Sequence, residues 1–515
     1  MSKYLNIPET ISFNEIAEKD FSLSAPQYKT LLIKNKNCLF VRDFMSRNLH
    51  NTDLGNEVGS LNYIGQSTHY FLRTKALQKH TFLPEINSET TRPIYPKVFQ
   101  QMNLKEGDLL ISKDSNIGEI VILDKDYPNH MLSSALYRLP VIEKNKYYLL
   151  AFIKHPIFRE QLDFIVPSGA TIRHAKTLFL DCKIPLPNIN EENVMKYVSL
   201  LTQAIINKEK LIRDRHESIL KLIKDELANN QKANSYKFKY PSFAEISDIG
   251  RMDTNLYRDD FKKIDFSIKN YKNGFQSIFD LGFTLSRGQN LQVSNIGKSI
   301  YSNKYYEGFY TLMLPKHLSK YGTVDTKEFI GNGKELKTLK QGDLIFGAEG
   351  FEKGRSIVIV EEKDRTITNI HGITIQQEEK NLTKAIFVKC FLDYLRDNEI
   401  IDLFAVGGNG GSLAQKYWHY IPFPKFEVEK QNDLAKLYYN PKAENKTTNA
   451  TLETFLVLDN AFNQEAGIYD LDKSVKELKE RLNEVIDQIA NDESVTITFN
   501  SVSYTHLTLP TNREV

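Results

Sequence analysis

One long stretch of the chain has apolar residues at the spacing of an amphipathic helix. Between Glu191 and Leu227 the apolar positions recur at steps of three and four residues, or sums of these. This period predicts a single helix of about 55 Å, at 1.5 Å per residue. Lys208 and Arg215 interrupt the apolar stripe. The stripe consists of Val194, Val198, Leu201, Ile205, Ile212, Ile219 and Leu222.

A second helical region near the end of the chain is less regular. A helix is predicted to begin at residues 429–437, and an Asn-, Lys- and Thr-rich loop from Asn440 to Thr451 interrupts it. Two arrangements are open for these narrow stripes: separate solvated helices, or an antiparallel coiled coil that separates two globular units. We favour the coiled coil, with Val198, Leu201, Ile205 and Ile212 packed on Leu471, Val475, Leu478, Leu482, Val485 and Ile489.

The rest of the chain combines short β-like runs with Gly, Asp and Asn turns, and it repeats itself. Residues 104–110 (LKEGDLL) return 235 positions later as residues 339–345 (LKQGDLI), and each Gly-Asp turn is typical of a hairpin. A glycine and an aliphatic run follow, at 118–123 and 354–359, and then a Pro-x-Pro exit, at 184–187 and 421–424. Residues 23–28 weakly match 252–257. Four matches in the same order predict an internal duplication.

The predicted fold class is therefore α/β, with two similar globular domains related by a pseudo-two-fold duplication and separated by long antiparallel helices. We place the first domain at 1–189, the first spacer helix at 190–235, the second domain at 236–425 and the second spacer region at 426–495. Residues 496–515 form a tail. Within it, residues 501–515 resemble translated adapter or vector sequence, and we set them aside as non-native.

Composition limits the classes of protein that fit. With 515 residues, 41% hydrophobic and 26% charged, the chain is long enough for two or more cored domains. A net charge of +2 means that a nucleic-acid binder would have to concentrate its basic residues on one face. The three cysteines, Cys38, Cys182 and Cys390, are too far apart for a CxxC metal site. The N-terminal residues lack an apolar signal core, so we expect a cytoplasmic protein.

The order of these features resembles the specificity subunits of type I restriction–modification systems, over about residues 15–495. Gln431 matches the glutamine that usually follows the Pro-x-Pro exit in that family, whereas the first half has Glu191, Glu192 and Asn193 there. The stretches that carry the resemblance are 105–110, 342–346 followed by Gly354, the two Pro-x-Pro exits, 283–291 and 478–487.

The resemblance implies a DNA-binding protein with two target recognition domains, each reading one half of a split sequence. It also implies helices that set the spacing and dock two methyltransferase subunits, together with restriction and translocase subunits. No cofactor is expected in this chain, since S-adenosylmethionine, ATP and Mg²⁺ would belong to those partner subunits. No membrane partner is expected.

The sequence was also compared with the motifs of methyltransferases, phosphate-binding turns and nucleases, and each match is incomplete. The turn that holds a flipped base in adenine methyltransferases is missing, and residues 440–442 (NPK) come nearest to it. The glycine cluster 407–411 lacks the third glycine of a phosphate-binding turn, since position 413 is Leu, and we favour a flexible loop. Asp343, Glu361 and Lys363 imitate a nuclease set, but the first half has Asp124 and Lys125 out of register, which favours a solvated strand end.

No metal ligand set is predicted, because His130, His371 and His419 lack Cys or carboxylate partners at ligand spacing. Reading base edges requires Arg, Lys, Asn, Gln or similar side chains on loops that reach the major groove. For each candidate taken alone, we favour a surface polar residue or a phosphate contact over a base reader. The candidates are Gln66, His69, Arg73, Lys75, Lys79, Lys113 and Arg173 in the first domain, and Arg287, Gln289, Asn290, Lys304, Lys353, Arg355 and Asn409 in the second.

Three classes of function therefore remain open from the sequence. The first is a DNA specificity subunit, which we favour. The second is a self-contained methyltransferase or nuclease fusion, against which the missing methyltransferase turn argues. The third is a scaffold whose duplicated domains bind proteins, and a basic groove on both domains would argue against it.

Overall fold

The structure is a computed structural model that describes residues 4–18, 21, 23, 28–166, 174–350, 353–362, 365–407 and 411–499. Its contacts divide the chain into two compact units. Of the described residues, the first unit contains those up to 210, those of 444–464 and those of 473–499. The second unit contains residues 211–443 and 465–472. The division therefore falls inside the long helices and not at their ends.

The first unit is built from short strands and helices, and one cluster of its buried apolar residues lies on its two three-stranded sheets and the loops beside them. Its elements are β1 (Leu5–Asn6), α1 (Phe13–Ala17), β2 (Thr30–Leu31), β3 (Cys38–Phe40), β4 (Tyr70–Leu72), β5 (Thr91–Pro93), β6 (Leu109–Ser112), β7 (Ile120–Ile122), β8 (His130–Leu132), β9 (Leu136–Leu139), α2 (Lys146–Lys154), α3 (Pro156–Ile165), β10 (Lys183–Pro185) and the start of α4 (Glu191–Asn229).

The second unit uses the same kinds of element with additional strands. Its elements are α5 (Phe243–Ile249), α6 (Asp259–Lys269), β11 (Phe275–Gln276), β12 (Phe283–Arg287), α7 (Val293–Ile296), β13 (Ser299–Ser302), β14 (Tyr310–Leu312), β15 (Glu328–Asn332), β16 (Leu344–Gly347), β17 (Ser356–Val358), β18 (Thr366–Ile367), β19 (Gly372–Gln377), α8 (Leu382–Asp397), α9 (Ile400–Phe404), β20 (Phe423–Pro424) and α10 (Val428–Tyr438).

The two units share one strand plan. In the first, β6 lies between β7 and β9, and in the second, β16 lies between β17 and β19, with all four pairings antiparallel. β4 pairs antiparallel with β5 and parallel with β8, as β14 does with β15 and β18. The proline-containing strands β10 and β20 pair with β3 and β11. The second unit adds β12 beside β19 and β13 beside β15.

The Gly-Asp turns show the same likeness at the level of single hydrogen bonds. Gly107 and Gly342 both have φ of +85°, where glycine is favoured, and their N–H groups donate to Leu123 O and Ile359 O at 2.9 Å. Asp108 and Asp343 each accept the backbone N–H three residues earlier. These turns lie at the open end of each strand pair. They do not lie in the connecting loop, as the hairpin prediction implied.

A repeated motif at the start of each unit was missed from the sequence. Ser12 and Ser242 are the N-caps of α1 and α5, and each accepts the N–H of a glutamate, Glu15 or Glu245. The motif reads Ser-Phe-x-Glu-Ile in both places, 230 positions apart. The weaker match proposed for residues 23–28 falls mostly outside the described residues.

The long helices have nearly the bounds that the apolar period predicts. α4 runs over Glu191–Asn229, and two further helices, α11 (Phe455–Glu465) and α12 (Ile468–Ala490), complete the helical region. Most of the predicted apolar residues of α4 and α12 are buried. Two differ from the prediction: Leu222 of α4 is half-buried, with its neighbour Ile223 buried instead, and Leu478 of α12 is half-buried. In the first unit α4 and α12 contact each other, since Arg481 Nε donates to Tyr197 Oη at 3.1 Å.

Lys208 does not merely interrupt the stripe of α4; it is fully buried in the first unit. Its ammonium lies 2.5 Å from both Asp459 Oδ1 and Asn463 Oδ1 of α11, and 5.0 Å from the ring centre of Phe462. Burial lowers the pKa of Lys208, and the Asp459 carboxylate opposes that shift. Helix α11 was not predicted. It packs on α4 through this pair of residues, which lie 251 positions apart in the chain.

The next residue of α4, Glu209, is a second buried polar group of the first unit. Glu209 accepts from Thr81 Oγ1, from the N–H of Phe82 and from Lys479 Nζ of α12, at 2.6–2.8 Å. Burial would raise the pKa of Glu209, but these donors hold it below its usual value. The loop at residues 81–82 is thereby tied to α4 and α12.

In the second unit, α4 contributes His216 to a buried charged group. His216 Nε2 lies 3.4 Å from Asp393 Oδ2 of α8, and Lys389 Nζ lies 2.6 Å from the same carboxylate. Burial would raise the pKa of Asp393, but Lys389, His216 and Arg396 lower it to about 2. α4 is thus held in each unit by a buried charge.

The cysteines Cys38, Cys182 and Cys390 are free thiols. In the described part of the chain, no helix has the length and apolar character needed to cross a membrane.

The pair of Lys208 and Asp459 can be tested by chemical unfolding. Lys208→Met leaves a carboxylate buried without its cation, which costs about 3–5 kcal/mol of unfolding free energy. The double variant Lys208→Met/Asp459→Leu should regain most of that loss, since no unpaired charge remains. As a control, Lys221→Met removes an exposed pair with Asp225 and should cost about 0–1 kcal/mol. A loss below about 1 kcal/mol for Lys208→Met would show that the pair does not hold α4.

Candidate nucleic-acid interface

The candidate residues of the first unit cluster around β4. Gln66 is exposed in the loop before that strand, and His69 is half-buried with its ring centre 4.4 Å from that of Phe99. Arg73 is exposed directly after the strand. Lys75 is also exposed, with its ammonium 2.7 Å from Glu89. Gln66 and Arg73 are therefore the accessible polar groups at the two ends of β4.

The other candidates of the first unit are in different surroundings. Lys79 is exposed in a turn whose next residue, His80, accepts a hydrogen bond from Lys479 of α12, so it lies on the side of the unit that faces the helices. Lys113 is half-buried and lies 2.8 Å from Asp114. Arg173 lies outside the described residues.

In the second unit, three candidates lie at one end of the central sheet. Arg287 ends β12 with an exposed side chain. The N–H of Gln289 donates to Thr368 O at 2.7 Å, and Asn290 Oδ1 accepts the N–H of Gln292 at 3.1 Å. The backbone after Arg287 is therefore fixed against the segment that enters β19.

The remaining candidates of the second unit divide between exposed and engaged groups. Lys304 is exposed after β13. Lys353 is 2.7 Å from Asp402 with only 9% of its side chain exposed, and Arg355 Nη1 donates to Leu318 O at 2.9 Å. The latter two therefore hold neighbouring segments together. Asn409 lies outside the described residues.

A cleft of about 760 Å³ opens at the same end of the sheet in the second unit. Gly407 and Gly411, from the glycine cluster, line it together with Lys316, Glu349 and His371. Gly407 has φ of +104° and Gly411 of +63°, both in the region that favours glycine. The described glycines thus bring backbone to the wall of the cleft.

Glu349 holds two basic side chains at this cleft. Its Oε1 lies 3.1 Å from Arg287 Nη1, and its Oε2 lies 2.8 Å from His371 Nδ1. Arg287 of this cluster was among the candidate DNA-binding residues predicted from the sequence, whereas Glu349 and His371 were not. Glu349 follows the end of β16, and His371 precedes β19.

The first unit has a counterpart after its central strand β6. Asp114 Oδ2 lies 2.8 Å from Lys113 Nζ, and Asp114 Oδ1 lies 2.7 Å from His174 Nδ1. Asp114 and Glu349 are 235 positions apart, the offset of the repeated Gly-Asp turns. Comparing acidic residues across the repeat would have found these carboxylates, whereas their histidine partners do not share one offset.

The imitation of a nuclease site has a structural explanation. Asp343 is buried and accepts from Lys340 N at 2.8 Å and from Gln376 Nε2 at 3.0 Å, so its carboxylate holds a turn. Lys363 lies outside the described residues. Among the residues that the structure describes, no group of three or more His, Cys, Asp and Glu side chains could hold a metal ion. The described chemistry is that of hydrogen-bond donors and acceptors on loops.

Among the solved structures that are similar to this chain are two from type I restriction–modification systems and one HsdS subunit. The S subunit from M. genitalium is 12% identical with a TM-score of 0.40, and the match covers 89% of this chain and 96% of that one. A chain from a study of assembly and conformational transition of the type I system is 11% identical, with a TM-score of 0.26, covering 82% and 92%. The HsdS subunit from Thermoanaerobacter tengcongensis is 12% identical, with a TM-score of 0.24, covering 82% and 90%.

Comparison of sequences is more specific. No curated protein sequence matches the chain. Residues 56–221 match the type I restriction modification DNA specificity domain. That range includes the first Gly-Asp turn, the first Pro-x-Pro exit and most of α4. The resemblance inferred from these motifs is confirmed for residues 56–221, which are similar to the type I restriction modification DNA specificity domain.

Proposed function

We propose that this protein is the sequence-specific DNA-binding subunit of a type I restriction–modification complex. The observation that carries the proposal is the match of residues 56–221 to a DNA specificity domain. The chain would contribute recognition and no catalysis of its own, as expected for a specificity domain. S-adenosylmethionine, ATP and Mg²⁺ would be used by partner subunits in the cytoplasm.

Each unit would read one half of a bipartite site. The support is the strand plan that both units share, since the second unit repeats the central sheet, the Gly-Asp turn and the proline-containing strand of the first. Duplication of one recognition domain accounts for that likeness. Loops on a rigid scaffold are the usual place for binding residues, and the exposed candidates Gln66, Arg73, Arg287 and Lys304 lie on such loops or at strand ends.

The helices would set the distance between the half-sites and dock two methyltransferase subunits, with restriction subunits joining the complex. Support comes from the contact between α4 and α12 in the first unit, at Tyr197 with Arg481 and at Glu209 with Lys479. The end of α12 lies near the start of α4, since Asn35 Nδ2 donates to both Leu186 O and Ile489 O, whereas Lys479 contacts Glu209 farther along α4. This is the order of an antiparallel pair. Such a pair has a length that depends directly on its residue count.

Two arginines test the DNA-binding role of each unit. Arg73→Ala and Arg287→Ala should each weaken DNA binding by the complex with its methyltransferase subunits, most clearly at low salt. If an arginine reads a base, its loss costs about 1–3 kcal/mol and relaxes only one half of the recognition sequence. Arg258→Ala, an exposed arginine outside the candidate set, is the control. Unchanged affinity and an unchanged methylated motif for both variants would remove these arginines from the interface.

Lengthening the helices tests their role as a spacer. Inserting one heptad into both α4 and α12 keeps the apolar stripes in phase. It lengthens the pair by about 10 Å at 1.5 Å per residue, or about three base pairs at ~3.4 Å each. We expect the half-sites, which lie about one DNA turn apart in the unaltered protein, to remain the same in sequence with a longer gap.

Sequencing of the methylated sites in a host that carries the insertion variant and its partner subunits measures the gap directly. An insertion of one heptad into α4 alone is the matched control, since it places the two stripes out of register and should abolish methylation. An unchanged gap, or altered half-sequences, in the doubly inserted variant would contradict the spacer role.

A further inference from the structure

Each unit contains a carboxylate paired with a histidine, and neither pair has a role in the proposed function so far. In the first unit Asp114 Oδ1 lies 2.7 Å from His174 Nδ1, and in the second Glu349 Oε2 lies 2.8 Å from His371 Nδ1. The histidines are the outer members, with 56% and 61% of their side chains exposed, against 13% and 35% for the carboxylates. Each carboxylate therefore lies behind an imidazole that faces solvent.

This arrangement fixes which nitrogen of each ring is free to bind. An ionised carboxylate only accepts hydrogen bonds, so Nδ1 must be the donor in both pairs. Nε2 is then the ring nitrogen turned away from the carboxylate, and it accepts a hydrogen bond in the neutral ring and donates one in the protonated ring. A histidine held in this way can present one directed contact to a ligand.

The carboxylates occupy equivalent positions, but the histidines do not. Lys113 N donates to Ala135 O as Ala348 N does to His371 O, so Ala135 is the counterpart of His371. Isolated bridges pair Asp114 with His174 and Glu349 with Ser412, so Ser412 is the counterpart of His174. Inheritance from a common ancestor explains the carboxylates alone. The histidines reach the same partner from different segments, which favours a shared use of the pair.

The surroundings of both pairs favour an electron-rich ligand. A second cation neutralises each carboxylate, Lys113 at 2.8 Å in the first unit and Arg287 at 3.1 Å in the second. Lys316 lines the cleft beside His371. Because Nδ1 already donates to the carboxylate, a contact from Nε2 to an acceptor atom requires the protonated ring, which adds a positive charge to each balanced pair. Duplex DNA offers such acceptors in phosphate oxygens and in the N7 and O6 atoms of guanine.

We propose that His174 and His371 each bind an acceptor atom of duplex DNA through Nε2, with Asp114 and Glu349 as positioning residues. The inference rests on the proposed function, since it assumes that the units face DNA. It adds one defined contact in each unit. It also explains why a carboxylate, which DNA phosphates repel, would lie near DNA: Asp114 and Glu349 each orient a histidine.

Binding by the whole chain with its methyltransferase subunits, to a duplex bearing the methylated motif, tests the proposal. His174→Ala and His371→Ala should each weaken binding about tenfold, the size of one lost charge-assisted hydrogen bond. His50→Ala and His419→Ala remove exposed histidines elsewhere in the first and second units and should leave affinity unchanged. Thermal melting checks that all four variants are folded.

Two readouts separate the possible ligands on the DNA. A contact to a guanine edge predicts relaxed specificity at one position of one half-site only. A contact to a phosphate predicts an unchanged motif and a salt dependence of binding reduced by about one released ion. Either result supports the contact, and the two histidines are scored separately because each belongs to one unit.

A double-mutant cycle tests the positioning role. Glu349→Gln should weaken binding in the wild-type background and have little further effect in His371→Ala, because its contribution passes through the imidazole. Equal effects in both backgrounds would contradict positioning.

Wild-type affinity and an unchanged motif for both histidine variants at every salt concentration would overturn the proposal while leaving the proposed function intact. Failure of the proposed function would be seen in the wild-type complex itself, as binding without sequence preference, and would remove this inference with it.

Discussion

The structure depends on the need of buried polar groups in α4 for partners. In the first unit, Lys208 is fully buried and is satisfied by Asp459 and Asn463 of α11. In the second unit, His216 lies against Asp393 of α8, which Lys389 also contacts. A buried ion without its partner costs several kcal/mol, so such pairs allow few alternative packings. An all-apolar stripe would permit α4 to slide or rotate, whereas these pairs define its position in each unit.

This fixed helix gives each unit a frame on which variable loops can be placed. The frame is repeated closely, down to the φ angles of Gly107 and Gly342 and the carboxylate caps of Asp108 and Asp343. At the other end of the central strands the two units differ, since the carboxylates are conserved in position but are bound by different cations and by histidines from different segments. A constant frame with a variable edge suits a protein whose two halves read different sequences.

The sequence predicted what depends on local periodicity. The apolar period gave α4 to within two residues of its observed end, and the repeated Gly-Asp motif identified turns that form the same hydrogen bonds in both units. The features that the sequence did not predict, the burial of Lys208 and helix α11, depend on residues that lie far apart in the chain. Lys208 was interpreted as an interruption because Asp459 lies 251 positions later, and α11 was not predicted for the same reason.

The candidate interface also divides into features that the local sequence predicts and features that depend on distant partners. Residue type and loop position selected Arg73 and Arg287, which are exposed, but they also selected Lys353 and Arg355, which bond to neighbouring segments. Whether a cation on a loop is free or engaged depends on tertiary contacts, and the pattern of residue types does not record these. His174 and His371 were passed over because their carboxylate partners are 60 and 22 positions away.

Single-molecule sequencing of a host genome that carries this chain with its methyltransferase subunits tests the central claim most directly. The account predicts methylation at one bipartite motif, with two defined half-sequences separated by a gap of fixed length and free sequence. A continuous motif, a motif with one defined half, or methylation that is unchanged when this chain is deleted would contradict it.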